Sequence, residues 1–268
     1  MVQIIKAIKS LGQNFLQDSS VIENIVSMSG ASDETDVIEI GPGMGAVTDL
    51  LIEQSKSLTA IEIDTRLFNE LSRRYERNPN FKIINTDVLK TDLSPYITDN
   101  TIVVANLPYY ITTPIITMLI ESELKLKSMT VMVQLEVAKR ICADEKSKDY
   151  GAISVLCNYF CDTELLFIVP PEAFSPVPKV HSAVIKLNFR DVPKVLPQNE
   201  GHFFKVVKAA FSNRRKTFVN CLMQYFTMAR EEAVQILSCC DINLMARGET
   251  LSLEKFKDIS DYMCSKTK

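Results

Sequence analysis

Along the first 190 residues the apolar positions switch repeatedly between two rhythms. Short continuous apolar runs bounded by turn residues mark buried strands, and longer stretches with an apolar residue every third or fourth position mark amphipathic helices. Val37-Ile38-Glu39-Ile40 has buried-strand character. It ends in Gly41-Pro42-Gly43-Met44-Gly45, and a helical stretch carrying Val47, Leu50, Leu51 and Ile52 follows. Upstream, Val21, Ile22, Ile25, Val26 and Met28 share one face of a helix for which Ser19 supplies the cap. Downstream the pattern predicts strands over 57–63, 81–85, 101–105 and 129–134, and helices over about 65–77, 113–121 and 135–145. Leu165 to Val169 and Ser182 to Phe189 are two more strands, joined by a long loop without a helix.

Strands separated by helical stretches require crossover connections, so the sheet is mostly parallel and covered on both faces. The final hairpin makes the last strand antiparallel. Asp191 to Glu200, with Pro193 and Pro197, reads as a linker, and only helical signals follow it. The predicted fold is therefore α/β: a Rossmann-like domain over 1–190, then a small all-helical domain over 191–268.

Composition narrows the class. The 268 residues are 46% hydrophobic and 24% charged, the balance of a soluble globular chain. Met1 to Lys9 is too short and too interrupted for a secretory segment, which points to a cytoplasmic protein. Seven cysteines without a Cys-x-x-Cys pair, beside only His181 and His202, give no expected metal site. The net charge of −3 conceals an asymmetry: residues 191–268 hold 12 basic against 9 acidic side chains. Lys205, Lys208, Arg214, Arg215 and Lys216 fall in a stretch, Gly201 to Ala229, that contains no acid. Four of them lie within about 100° of helical arc, opposite Phe203, Val207, Ala210, Phe211, Phe218 and Cys221. Arg214 projects toward the apolar side, which predicts that Ser212-Asn213 breaks the helix and caps a second one. Such a footprint suits phosphate, although a solvated helix face has the same look.

The glycine loop is the first candidate for chemistry. Glycine at every second position lets a ligand approach bare backbone N–H groups at a helix N-terminus. The spacing of Gly41, Gly43 and Gly45 is not that of the dinucleotide fingerprint, whose third glycine comes one residue later. Glu62 ends the next strand, about where a ribose hydroxyl acceptor stands, and Asp87 follows the strand after it. This combination looks like the S-adenosylmethionine site of class I methyltransferases. At the end of the fourth strand stands Asn106-Leu107-Pro108-Tyr109. An exocyclic aromatic amine is a poor nucleophile because its lone pair is delocalised into the ring. The Asn106 side-chain carbonyl and the Leu107 backbone carbonyl could bond the amine hydrogens, and Tyr109 offers a stacking face. Pro108 biases Leu107 away from helical dihedrals, so the strand ends in an elbow. Pro170, Pro171, Pro176 and Pro178 stiffen the loop around Phe174, either to present that ring to a ligand or to plug a rigid hairpin connection.

Taken together, Lys9 to Leu16, Glu39 to Gly45, Asn106 to Pro114, Gln134 to Arg140, Val169 to Ala183 and Phe203 to Thr217 resemble one family, the KsgA (RsmA) small-subunit rRNA adenine N6-dimethyltransferases. The resemblance spans nearly the whole chain. It implies transfer of two methyl groups to each of two adjacent adenosines near the 3′ end of small-subunit rRNA, inside an immature subunit. The donor would be S-adenosylmethionine, released as S-adenosylhomocysteine, and nothing demands more than a monomer. By the family pattern Asn14, Leu16, Gly41, Glu62, Asp87 and Asn106 line the cofactor pocket, and Phe174 faces Tyr109 across the target adenine. Tyr110 stands where many members carry Asn, and Leu135 where many carry Lys. Two alternatives remain: the antibiotic-resistance dimethyltransferases of large-subunit rRNA, and a non-catalytic ribosome-assembly or transcription factor on the same fold.

Overall fold

A computed structural model describes residues 5–8, 11–122 and 124–266. Lys9 and Ser10, which begin the N-terminal matching segment, lie outside the described residues. In chain order the elements are β1 (Phe15–Leu16), α1 (Ser19–Ser29), β2 (Asp36–Ile40), α2 (Ala46–Gln54), β3 (Ser57–Glu62), α3 (Thr65–Arg74), β4 (Phe81–Asn85) and β5 (Thr101–Asn106). There follow α4 (Thr112–Glu121), β6 (Leu126–Gln134), α5 (Leu135–Ile141), α6 (Ala152–Phe160), β7 (Cys161–Val169), β8 (Phe174–Ser175) and β9 (Ser182–Phe189). The rest is helical: α7 (Glu200–Phe211), α8 (Phe218–Phe226), α9 (Arg230–Cys239) and α10 (Leu253–Lys266).

Among the described residues seven strands form one sheet in the order β4-β3-β2-β5-β6-β9-β7. The neighbours from β4 to β6 are parallel, and β9 runs antiparallel to β6. Every residue of β2 is buried, Asp36 and Glu39 included, as a strand in the middle of a two-sided sheet must be. From β2 the chain crosses one way to β3 and β4, then returns to β5 on the other side. That reversal opens a crevice at the carboxyl ends of β2 and β5, where ligands bind in open α/β sheets. β1 and β8 form a separate antiparallel pair, Leu16 opposite Phe174.

Three local expectations give way. Asp18, not Ser19, caps α1, because its carboxylate accepts the N–H groups of Ser20 and Val21. The helix expected over 135–145 stops at Ile141, and α6, which has buried residues on most of its surface and so no clear polar face, was not signalled by periodicity. The break after α7 does occur, but Thr217 rather than Ser212-Asn213 is the N-cap of α8.

The chain forms two compact units, Met1–Ala138 with Thr163–Phe189, and Lys139–Asp162 with Arg190–Lys268. The boundary expected at 190 therefore assigns 139–162 differently from the structure. The physical reason is apolar burial: Ala143, Tyr150, Val155 and Tyr159 share a core with Phe203, Phe218 and Phe256. Tyr159 also stacks on Phe203 at 5.1 Å and donates its hydroxyl to Glu200 at 2.9 Å.

Candidate active site

The first unit contains a cavity at the carboxyl ends of β2, β3, β4 and β5. Each strand delivers one element of it. β2 runs into the glycine loop, where Gly41, Gly43 and Gly45 hold φ of 71°, 61° and 86°, left-handed values that a side chain would strain. Gly41 and Gly43 line the cavity. Gly45 does not. It is buried at the N-cap of α2, where a Cβ would stand 2.9 Å from Leu71 Cδ2 and 3.0 Å from the Tyr75 hydroxyl. The expectation that it touches cofactor is corrected: this glycine lets α2 approach α3.

β3 ends in Glu62, only 4% exposed, and burial pushes its carboxyl above the usual carboxylate range. Two backbone donors hold it in place, Asp64 N–H at 2.8 Å and Gly43 N–H at 3.3 Å. Asp87 follows β4, lines the same cavity and accepts the Leu89 N–H at 3.0 Å. Deeper still, Glu39 of β2 is pushed up to about 8 by its complete burial, while the Thr48 hydroxyl donates to it at 2.7 Å. It lines a second, smaller cavity behind the loop, with Phe15, Leu16, Gly41 and Asn106. Leu16 thus meets this rear space and the core, not the main cavity.

β5 delivers the elbow. Asn106, Leu107, Pro108 and Tyr109 all line the main cavity. Leu107 donates its N–H to the Met132 carbonyl at 3.1 Å, which holds the elbow to β6. Within the described residues neither the Asn106 amide nor the Leu107 carbonyl makes a hydrogen bond. Tyr109 exchanges a hydrogen bond of 2.8 Å with the fully buried Ser182, and burial raises its phenol. Phe174 reaches the cavity wall from β8, 3% exposed and packed with the core around Leu16.

The N-terminal arm supplies the remaining wall, Leu11 to Phe15. Asn14 lies in it, its amide donating to the Gly12 carbonyl at 3.3 Å. Tyr110, 58% exposed, lies against this arm, since a Cβ on Gly12 would stand 3.2 Å from its ring. Sequence reasoning did not single out Gln13, Ile63, Thr86, Val88 or Ser182 for this region, although Gln13 and Ser182 lie in matching segments and the other three stand next to Glu62 or Asp87.

In the second unit Lys205 and Lys208 are exposed on α7, and Arg215 is exposed in the turn after it. Lys216 is half-buried. Arg214 is exposed as well, and its guanidinium donates to the carbonyls of Tyr150 at 2.8 Å and Lys148 at 3.5 Å. It ties the 139–162 segment to this unit while its charge stays at the surface.

A mostly parallel sheet, a reversal of strand order, a glycine loop after the central strand and an acid after each of the next two define a class I methyltransferase. A family model described as ribosomal RNA adenine dimethylase matches residues 4–263, so the chain belongs to that family. It is 43% identical over 264 residues to the ribosomal RNA small subunit methyltransferase A of Bacillus pumilus, covering 95% of this chain and 90% of that protein. Against the protein of the same name from Shouchella clausii it is 44% identical over 266 residues, with 96% and 90% covered. The fold matches the crystal structure of a dimethyladenosine transferase from Plasmodium falciparum, with TM-score 0.80, 23% identity and 94% and 98% covered. It also matches the 23S rRNA methyltransferase ErmE, with TM-score 0.72, 25% identity and 92% and 98% covered.

Proposed function

We propose that this chain dimethylates N6 of two adjacent adenosines near the 3′ end of small-subunit rRNA, on an immature small subunit and as a cytoplasmic monomer. Its family membership makes it an S-adenosylmethionine-dependent rRNA adenine dimethyltransferase. The relatives at 41% to 44% identity are small-subunit enzymes by name, which favours that substrate over the large-subunit alternative represented by ErmE at 25%. No described helix is long and apolar enough to cross a membrane.

The residues present suit the cofactor. A cradle at Gly41 and Gly43 would be filled by side chains, and Glu62 is a buried acceptor aimed at hydroxyl donors. Glu62, Asp87, Asn14, Gly41 and Gly43 would hold it, with Asn106 between it and the target. When bound, S-adenosylmethionine supplies an electrophilic methyl on a sulfonium.

The observation that carries the reading is the unpaired amide of Asn106 beside the unpaired carbonyl of Leu107 at the cavity wall. An adenosine taken out of its stack places its N6 hydrogens against these two acceptors, which draw the lone pair out of conjugation and aim it. Tyr109 and Phe174 bound the space for the ring, and the Ser182 bond keeps the Tyr109 face fixed. The protein acts mainly by positioning and by excluding water. No general base is needed, because the attacking nitrogen becomes acidic once methylated. Lys205, Lys208, Arg215 and Lys216 would hold the RNA through phosphates. Incubating purified immature small subunits with labelled cofactor and mapping the product nucleosides tests this. N6,N6-dimethyladenosine at two neighbouring positions is expected; label elsewhere, or none, overturns the proposal.

A further inference from the structure

The arm over the cavity is fastened at both ends. At its far end β1 pairs with β8, and Gln17 N–H donates to the Ala173 carbonyl at 2.8 Å. At its near end the fastening depends on three side chains. The Gln13 carbonyl oxygen accepts the Ile8 N–H at 2.8 Å, while its amide nitrogen donates to Asp64 Oδ2 at 2.9 Å, across 51 residues of sequence. Asp64 in turn takes a two-pronged hydrogen bond from Arg66, Nη2 at 2.6 Å and Nε at 3.0 Å. Arg66 Nη1 also donates to the Lys6 carbonyl at 3.2 Å. Asp64 is 6% exposed and does not line the cavity, yet its backbone N–H is one of the two donors that hold Glu62.

We propose that Gln13 and Asp64 are positioning residues for the cofactor: their hydrogen bond clasps the arm over the cavity and keeps Glu62 in register with the glycine loop. The proposal rests on the reading of this cavity as the cofactor site. A charge-assisted bond at the edge of a cavity is directional, so it selects one arm position among the many that a loop of this length can sample. The clasp thus lowers the ordering cost that the cofactor would otherwise meet on binding, and the elbow's own hydrogen bonds, Leu107 N–H to Met132 and Tyr109 to Ser182, do not involve it.

The test uses the full chain, calorimetry with S-adenosylmethionine, and methylation kinetics on immature small subunits. Gln13→Glu sets a second carboxylate against Asp64 and should raise the cofactor Kd and KM about tenfold, leaving kcat at saturating cofactor and the KM for RNA within about twofold. The double variant Gln13→Glu with Asp64→Asn reverses the direction of the bond at unchanged total charge and should recover most of the lost affinity. A cofactor Kd unchanged in Gln13→Glu, a fall of kcat in step with the rise in KM, or a double variant no better than the single one would each overturn the clasp. A native chain that binds no S-adenosylmethionine would overturn the cofactor reading itself, before any variant is compared.

Discussion

The two sides of the cavity treat their polar groups in opposite ways. On the side of β3 and β4 both carboxylates that line it already have internal donors: Glu62 holds the Gly43 and Asp64 N–H groups and Asp87 holds the Leu89 N–H. On the side of β5 the Asn106 amide and the Leu107 carbonyl have no partner within the described residues, although the Leu107 N–H is held by Met132 and the Tyr109 hydroxyl by Ser182. Paired acceptors are held in place and keep spare lone pairs for a ligand's hydroxyls. Unpaired ones are left open to water or to a ligand's donors. The same contrast recurs in the second unit, where Arg214 is bound to backbone carbonyls and its neighbour Arg215 is not.

Variants on the two sides should therefore fail differently. The largest effect is expected at the unpaired side: Asn106→Ala should lower the methylation rate by about 10²- to 10³-fold, the loss typical of one transition-state contact. Calorimetry should show it still binding cofactor; normal turnover would refute the role of its amide. On the paired side, Glu62→Gln should act in reverse, raising the cofactor Kd by about tenfold with kcat at saturation retained. If both variants lost kcat alike, the division between holding and reacting sides would collapse.

Smaller effects sharpen the contrast. Arg215→Glu with Lys216→Glu should weaken RNA binding by about tenfold at low salt and reduce its salt slope by about two, with Tm unchanged. Arg214→Ala should do the opposite, costing about 1–3 kcal/mol of stability in a denaturant titration, since it strands two carbonyls, while the salt slope stays near native. Tyr109→Phe, which keeps the ring and loses only the Ser182 bond, should cost about 1 kcal/mol in kcat/KM.

A separate prediction concerns pH and stability rather than turnover. Glu39 titrates near 8 when folded and near its ordinary 4.5 when unfolded, so the folded chain holds one more proton between those values. Stability from this group is fully present below 4.5 and is lost as pH rises toward 8. Tm measured from pH 5 to 8 should thus fall more steeply in the native chain than in Glu39→Gln. Parallel curves would mean that Glu39 is already ionised when folded.

Much of the site was legible because its parts lie at strand ends. Once apolar runs fix where β2, β3, β4 and β5 stop, Gly41, Glu62, Asp87 and Asn106 must stand at one edge of a parallel sheet, and they do. Roles resting on a side chain's direction were not legible. Gly45 completes the sequence pattern yet faces α3, and Leu16 belongs to the rear of the loop. Arg214 sits in an acid-free basic run, and nothing in that run shows that its guanidinium also holds the Tyr150 carbonyl.

Local periodicity and turn chemistry determined the alternation of strands and helices, the parallel sheet, the edge that carries the site and the separate helical tail, because each depends on residues a few positions apart. Only the tertiary structure decided that 139–162 joins the helical unit, that Gln13 meets Asp64, and that Tyr109 leans on Ser182. Those pairings join residues 51 and 73 positions apart, and the affinity of one side chain for another leaves no trace in either one's neighbours. They form because, once the apolar runs are buried, these polar groups are the partners within reach.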